Sequence, residues 1–536
     1  MRVGARLLAV VLFAVSYCLG QSALHHRGRP APVRKPAPPS PSLVTPEEHA
    51  SRYLESVRNQ PGLLLSFLRG FPKGGDLHNH LIGAIYAESY IQWAVEDGSC
   101  IDRRSSAFSP PPCDAEKGMI PAKALLSDPQ LYASTLAALS MYEFVPGAES
   151  NHDHFFHTFP KFNPIALNHM GEELAEVAAR AARQNELYLE LIVAPDGGDA
   201  ARFGSGIGWD PDLKALQQKM LNAGIGHVVA TSRSNLDAAE ARMRQVLRCG
   251  TASPDPGCGV AIRYEFEVPR AFPPQQVFAA ILTGFELAAQ DPRVVTVNPV
   301  MPEDWYVPMR DFSLHMQMFE FLRKQYPHVR LSLHAGELTM GLVPPEGLRF
   351  HIHDSIRRGG AQRIGHGVDL PYEDEPLELL HEMAARHVAV EICLTSNELI
   401  LGVKGDGHPL PLYLQFGVPV VIATDDEGVS RSDMTQEYLR ATQTYALKYS
   451  DLKRISRNSL EYSFLKGESL WADVAALHRA PACAAENPAA PSGSESCRKW
   501  LGANPKAQLQ WKLEAAFAHF ESQACCGGGA AAKPAK

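Results

Sequence analysis

The chain has 536 residues, 45% hydrophobic and 21% charged, so it carries apolar material for at least one large core, and disorder over most of its length is excluded. Lysine and arginine total 51 against 59 aspartates and glutamates, a formal charge of -8 with no long basic run, which argues against a nucleic-acid footprint. The length allows about three domains at roughly 150 residues each, or fewer if an α/β barrel is present, and 21 histidines with 10 cysteines exceed what a purely structural cytosolic chain needs.

Residues 1–20 read as an export signal: Arg2 and Arg6 give a basic start, and an apolar run from Leu7 ends in small residues before Gln21. The run is short for a membrane span, and bulky Tyr17 ahead of Cys18 fits a lipoprotein cleavage site badly. A secreted or periplasmic protein, free of the membrane once the signal is removed, is the expectation. The cysteines agree. Cys100 with Cys113, Cys249 with Cys258, and Cys483 with Cys497 are close pairs bracketing loop sequence, as local disulfides in an oxidising compartment would be, whereas Cys393 reads as a buried free thiol.

Residues 21–43 form a Pro-rich basic linker. Thr45-Pro46-Glu47-Glu48 then carries a capping-box residue, a proline at the first helical position and a glutamate at the third. An apolar periodic stretch follows to Leu68, predicting an N-terminal helical extension over 44–71. Strand-like runs next alternate with helix-like ones: Asp76 to Gly83, Leu187 to Ala194, Val260 to Val268, Val294 to Met301, Arg330 to Gly336, Arg363 to Val368, Val388 to Thr395 and Val418 to Thr424. Eight such runs predict an α/β fold, a (β/α)8 TIM barrel over 72–465 with insertions near 95–180 and 196–258, the first bearing a disulfide. Residues 466–536 predict a helical tail, with one amphipathic helix near Gln508 to Phe520 and a Gly/Ala-rich end without order.

Histidines and acids gather at the ends of these strands. His78 and His80 lie two apart in a strand, so both project from one face and can share a metal ion. Alone the pair is weak, and His351 with His353 supplies a second example that reads as surface or loop. His334 ends a later strand, with Glu337 three residues on; His366 lies between glycines that permit close approach; and an apolar strand ends in Asp425-Asp426. Buried carboxylates need a partner, a metal or a proton, and the carboxyl ends of barrel strands converge on the mouth where active sites form. Three imidazoles and one carboxylate with an open position describe catalytic rather than structural zinc chemistry.

Pro72-Lys73 through His78-x-His80 to Gly83-Ala84, then His334-Ala335-Gly336-Glu337, Arg363-Ile364-Gly365-His366-Gly367, Thr395-Ser396-Asn397 and Thr424-Asp425-Asp426, resemble in order the signature segments of the adenosine deaminase family. The leader, the helical segment before the first strand and the cysteine-bearing insertion resemble its secreted, growth-factor-type branch and bacterial relatives. The resemblance implies a zinc-dependent barrel that hydrolyses adenosine or 2'-deoxyadenosine to inosine or 2'-deoxyinosine and ammonia. It implies one zinc ion held by His78, His80, His334 and Asp425, Glu337 as proton shuttle to purine N1, His366 orienting the attacking hydroxide, and Asp426 bonded to purine N7. A carboxyl three residues from a ligand suits that work, because C6 becomes electrophilic only when N1 is protonated. The other deaminase architecture, with HxE and PCxxC segments, is absent from the sequence.

Two departures bear on the substrate. Leu81-Ile82 stands where the intracellular members have an acid reaching the ribose, and Val297-Asn298-Pro299-Val300-Met301 lacks their purine-N3 glycine. Sugar contacts are therefore sought in the insertion, around Glu143-Phe144 and His154 to Phe162, while Asn397 and His408-Pro409 are expected to shape the site without reacting. The alternatives are a deaminase or hydrolase of another amino-purine or amino-heterocycle, and a secreted binding protein that has lost catalysis. Dimerisation is common in the secreted branch, so a homodimer is also expected, with a small-molecule purine nucleoside as the ligand.

Overall fold

The computed structural model describes residues 44–490 and 493–525. The export-signal and linker readings, and the Gly/Ala-rich end, lie outside the described residues. Among these residues no helix is long and apolar enough to cross a membrane.

Eight parallel strands follow one another around a single sheet: β1 (Gly74–His80), β2 (Glu186–Val193), β3 (Ala261–Pro269), β4 (Val294–Val300), β5 (Arg330–Ala335), β6 (Arg363–His366), β7 (Ala389–Ile392) and β8 (Val420–Ile422). Closure comes at the mouth. There the His80 N–H donates to the Asp425 carbonyl (2.9 Å) and the Asp425 N–H to the His78 carbonyl (2.9 Å), joining β1 to the residues just after β8. The expected (β/α)8 barrel is thus formed, and each predicted strand matches one of the eight.

Most strands read as Val/Ile/Leu runs because helices cover the outside while side chains fill the inside; all seven residues of β4 are buried. The helix Pro274–Gln290 after β3 buries residues around most of its circumference, as one lodged between barrel and neighbours must. β1 is different. Its Gly-Gly-Asp-Leu-His-Asn-His sequence has no apolar run and is held by a buried polar network in which Thr424 and Asn79 donate to Asp76.

The capping box at Thr45 forms as predicted, with Glu48 N donating to Thr45 Oγ1 (3.2 Å) and Thr45 N to Glu48 Oε2 (2.9 Å). The apolar stretch to Leu68 is nevertheless two helices, Pro46–Val57 and Pro61–Gly70. Pro61 has no N–H to continue the first helix and keeps Gln60 out of helical conformation. The predicted C-terminal amphipathic helix extends over Pro505–Cys525 and packs at the amino end of β1, where Phe517 meets Phe71 (5.6 Å between ring centroids) and Phe520 meets Phe67 (5.0 Å). Arg457 forks onto Glu514 there (2.7 and 2.9 Å).

Cys100–Cys113, Cys249–Cys258 and Cys483–Cys497 are disulfides, and Cys393 is a buried thiol. The first staples a three-stranded antiparallel sheet of Cys100–Asp102, Phe108–Ser109 and Met119–Pro121. From that insertion the helix Asn151–Ala166 runs beside the barrel mouth.

Candidate active site

His78 and His80 of β1, His334 of β5, His366 of β6 and Asp425 after β8 meet at the carboxyl end of the barrel. His80 Nε2 lies 3.2 Å from His334 Nε2, and Asp425 Oδ1 lies 3.4 Å from both His78 Nε2 and His80 Nε2. His78, His334, His366 and Asp425 offer ligand atoms all within 4.8 Å of one another, and His80, Asp425 and Asp426 form an overlapping group. Distance alone therefore does not separate His366 from the ligand set expected from the sequence.

Hydrogen bonding separates them, through the tautomer each ring must adopt. Asn298 Oδ1 faces both the His334 N–H (3.1 Å) and His334 Nδ1 (2.7 Å). A backbone N–H only donates, so the Asn298 atom is the oxygen, His334 Nδ1 carries the proton, and His334 Nε2 presents a lone pair. His78 Nδ1 lies 2.8 Å from Glu391 Oε2, and the Arg363 guanidinium and His78 itself hold that buried carboxyl down at about 2 against its desolvation. His78 Nδ1 is thus the donor, so in the neutral ring the lone pair lies on Nε2, which is buried without a hydrogen-bond partner and faces Asp425 Oδ1 at 3.4 Å.

His366 has the opposite tautomer. Leu410 N donates to His408 Nδ1 (3.1 Å), and burial pushes His408 down to about 4, so the neutral ring carries its proton on Nε2. That proton goes to Asn397 Oδ1 (3.1 Å), which turns the Asn397 amide so that Nδ2 donates to His366 Nδ1 (3.1 Å). His366, pushed down to about 3 by burial, is then an Nε2–H donor, 3.8 Å from Glu337 Oε1. The residues present fit a metal ion: in their neutral forms His78 and His334 turn lone pairs inward, His80 and Asp425 adjoin them, and His366 turns a proton inward.

Electrostatics agree. Burial holds His80 at about 4 and His334 well below the usual histidine value, so both rings are neutral donors of lone pairs. Burial opposes a charge on His78 too, yet Asp425 and Glu391 outweigh it and raise its pKa, marking a place that attracts a cation. Asp425 stays below the ordinary carboxylate range despite its burial because His78, whose charged form bonds to it, holds it ionised, and Ser396 Oγ donates to its other oxygen. Glu337 and Asp426 are raised well above that range, each by burial and then by the charge of Asp425.

The backbone is tightly constrained here. Met301, His366 and Asp425 all adopt positive φ (80°, 68° and 60°), at a cost of about 1–3 kcal/mol each, as do Gly336 and Gly367. Gly365 is required by contact: a Cβ there would lie 2.7 Å from His78 Cε1. At Gly83 a Cβ would strike Asp426 Oδ1.

Glu303 fixes the segment bearing Glu337, accepting from Gly336 N (3.2 Å) and Glu337 N (2.8 Å), and it pairs with His351 Nδ1 (2.5 Å). This corrects the reading of His351 as surface or loop. The ring is fully buried and stacked on Phe312 at 3.9 Å, on a helical turn rather than a strand, and only His353 retains exposure. In the barrel interior below, Arg363 is ringed by Glu190, Glu265 and Glu391 at 2.5–2.6 Å, so Glu391 links His78 to that cluster.

A cavity of about 310 Å³ opens over this group, with His80, Glu337, His366 and Asp426 among its lining. The insertion helix contributes Phe156, Phe159, Pro160 and Asn163. Glu143 and His154 are not among the lining residues: Glu143 is exposed, and His154 stacks on Phe144 (3.9 Å) while bonding to Glu149 and the Ala137 carbonyl. Sequence reasoning missed Glu303, Glu391, Asn298 and Glu267. Glu391 and Asn298 occupy inward positions of recognised strands, which alternation along those strands could have flagged.

A family model described as adenosine deaminase matches residues 174–470, more than half of the 536-residue chain; His78 and His80 precede the matched stretch. The chain is 33% identical over 140 residues to the adenosine deaminase of Clostridium perfringens, covering 26% of this chain and 39% of that one. It is 34% identical over 157 residues to that of Escherichia coli, covering 29% and 43%. These matches span about two fifths of the relatives' own length. Among solved structures, arabidopsis ADAL complexed with IMP has a similar fold, with a TM-score of 0.52 at 18% identity over 84% of this chain and 99% of that one. With the family model running from the helix before β2 to the residues beyond the barrel, the chain belongs to the adenosine deaminase family.

Proposed function

We propose that this protein is an exported zinc aminohydrolase converting adenosine or 2'-deoxyadenosine and water to inosine or 2'-deoxyinosine and ammonia. The observation that carries the reading is the division of tautomers: lone pairs on His78 and His334 beside His80 and Asp425, and an N–H on His366 beside Glu337. His78, His80, His334 and Asp425 would hold the ion. When bound, zinc acts as a Lewis acid and lowers the pKa of water at its open position to about 7.

The protein's own groups do the rest. Glu337, kept protonated by burial and by the charges of Asp425 and Glu303, donates to purine N1, which draws electron density from C6. His366 Nε2–H donates to the oxygen that adds to C6, stabilising the charge that develops there. The Glu337 carboxylate then accepts a proton from that oxygen and returns it to the leaving amine, so that the C6–N bond breaks, ammonia departs and C6 keeps the carbonyl oxygen. Asp426 faces the same cavity and would meet purine N7 through its carboxyl O–H. The three disulfides support an oxidising compartment.

The test follows the ultraviolet change from adenosine to inosine with zinc-loaded mature protein. Turnover of adenosine or 2'-deoxyadenosine supports the reading. Turnover only of another amino-purine would transfer the same chemistry to a different substrate, and a folded, metal-loaded protein inert toward all of them would sink it.

A further inference from the structure

Glu267 stands on β3 two residues beyond Glu265, so the two side chains share the inward face and Glu267 lies one layer nearer the mouth. Its register partner on β4 is Asn298, the residue that sets the His334 tautomer. Glu265 is fully engaged, accepting from Asn298 Nδ2 (2.8 Å) and pairing with Arg363. Glu267 is not. It lines the cavity with His80, Glu337 and Asp426, and among the described residues no hydrogen bond or ion pair reaches its carboxyl.

Glu267 is partly exposed to the cavity, so its carboxyl has no protein partner and faces the space that a ligand would fill. Desolvation, reinforced by the charge of Asp196, pushes Glu267 up to about 7. Its surroundings say what would satisfy it. Among the described residues no lysine or arginine lines the cavity, so nothing there offsets the charge of a phosphate. Leu81 and Ile82, where an acid could have reached a sugar, are apolar and are not among the lining residues. Around Glu267 the wall is apolar, built of Pro269, Phe272, Met301 and Trp305, which suits a neutral group with one polar edge.

We propose that Glu267 is the acceptor for the sugar hydroxyls of a neutral purine nucleoside and that its carboxyl excludes the corresponding 5'-phosphate. This rests on the deaminase reading above and adds the choice of what N9 may carry. A carboxylate can accept from two hydroxyls at once, and a nucleotide would bring a second negative charge to a site without a counter-charge.

The experiment compares zinc-loaded wild-type protein with Glu267→Gln on adenosine, 2',3'-dideoxyadenosine, 5'-deoxyadenosine and AMP, with zinc content measured alongside. For adenosine the substitution should lower kcat/KM roughly 10- to 100-fold, the scale of one charge-assisted hydrogen bond, with zinc stoichiometry unchanged. At least one hydroxyl-deleted nucleoside should lose less than threefold on the same substitution, and the preference for adenosine over AMP should narrow. Equal losses on all four substrates, or no loss on adenosine, would overturn the proposal while leaving the deaminase reading intact. Wild-type protein inert toward adenosine would instead overturn that reading and the proposal with it. Should Glu267→Gln fail to fold, Glu267→Ala, which removes both the acceptor and the charge, gives the same comparison.

Discussion

Glu337→Gln should abolish most of the activity while changing almost nothing else. The carboxyl is buried and held protonated by desolvation, by Asp425 and by Glu303, so an amide of the same volume and charge replaces its resting form. Its Oε1 has no hydrogen-bond partner to lose, and the backbone around it stays pinned because Glu303 accepts from the N–H groups of Gly336 and Glu337 rather than from the side chain. Stability should therefore shift by less than about 0.5 kcal/mol, as for a substitution that disturbs no named contact. Removing the group that gives and takes the proton should cost about 10²- to 10⁴-fold in kcat, or ~3–5.5 kcal/mol of barrier. The sign with pH also follows. In the wild type the acid form is lost as pH rises through the raised pKa of Glu337, so kcat should fall on the alkaline side, and the residual rate of the variant should lack that limb. The assay is steady-state ultraviolet kinetics across pH with zinc content and thermal midpoint measured on the same samples. A folded, zinc-loaded Glu337→Gln protein within tenfold of wild type would refute the reasoning.

Asn397→Leu should free the His366 tautomer and lower kcat by up to about 100-fold with zinc retained, and the His366 nitrogen shifts in a ¹⁵N-histidine spectrum should move; unaltered shifts and rate would contradict the relay from His408. Glu391→Ala should weaken metal binding about 10- to 100-fold in competition with a chelator, since it removes the acceptor that orients His78; unchanged affinity would count against it. Glu303 is held at about 2, below its ordinary 4.5, because His351 and Arg270 outweigh its burial. Its contribution, about 3 kcal/mol by linkage, is present above pH 4.5 and is lost as pH falls toward 2. Glu303→Gln should accordingly show a shallower decline of Tm between pH 5 and pH 3 than wild type, and parallel declines would contradict the assignment.

The barrel was legible because most of its strands, buried on both faces, read as apolar runs between helical patterns, while β1 was marked by its His78-x-His80 motif and the capping box at Thr45 announced the first helix. Seven residues of the candidate site were legible from short motifs at strand ends, where His78, His80, His334, Glu337, His366, Asp425 and Asp426 lie together in space. The supporting residues were not. Glu391 reaches His78 across 313 positions of sequence and Asn298 reaches His334 across 36, so no local pattern announces either contact. His351 was misread as surface or loop for the same reason: its partner Glu303 lies 48 positions away, and only the folded helical turn shows His351 facing inward while His353 keeps exposure. Glu267 escaped because a lone acid on a strand reads as solvent-facing until the closed barrel shows which face is inside.

The most direct test strips the mature protein of metal with a chelator, restores one equivalent of zinc, and measures ammonia released from adenosine against inosine formed. The account predicts no release from the stripped protein, recovery on adding zinc, and one ammonia per inosine. Full activity in the stripped protein, or none after zinc is restored to a folded chain, would contradict it.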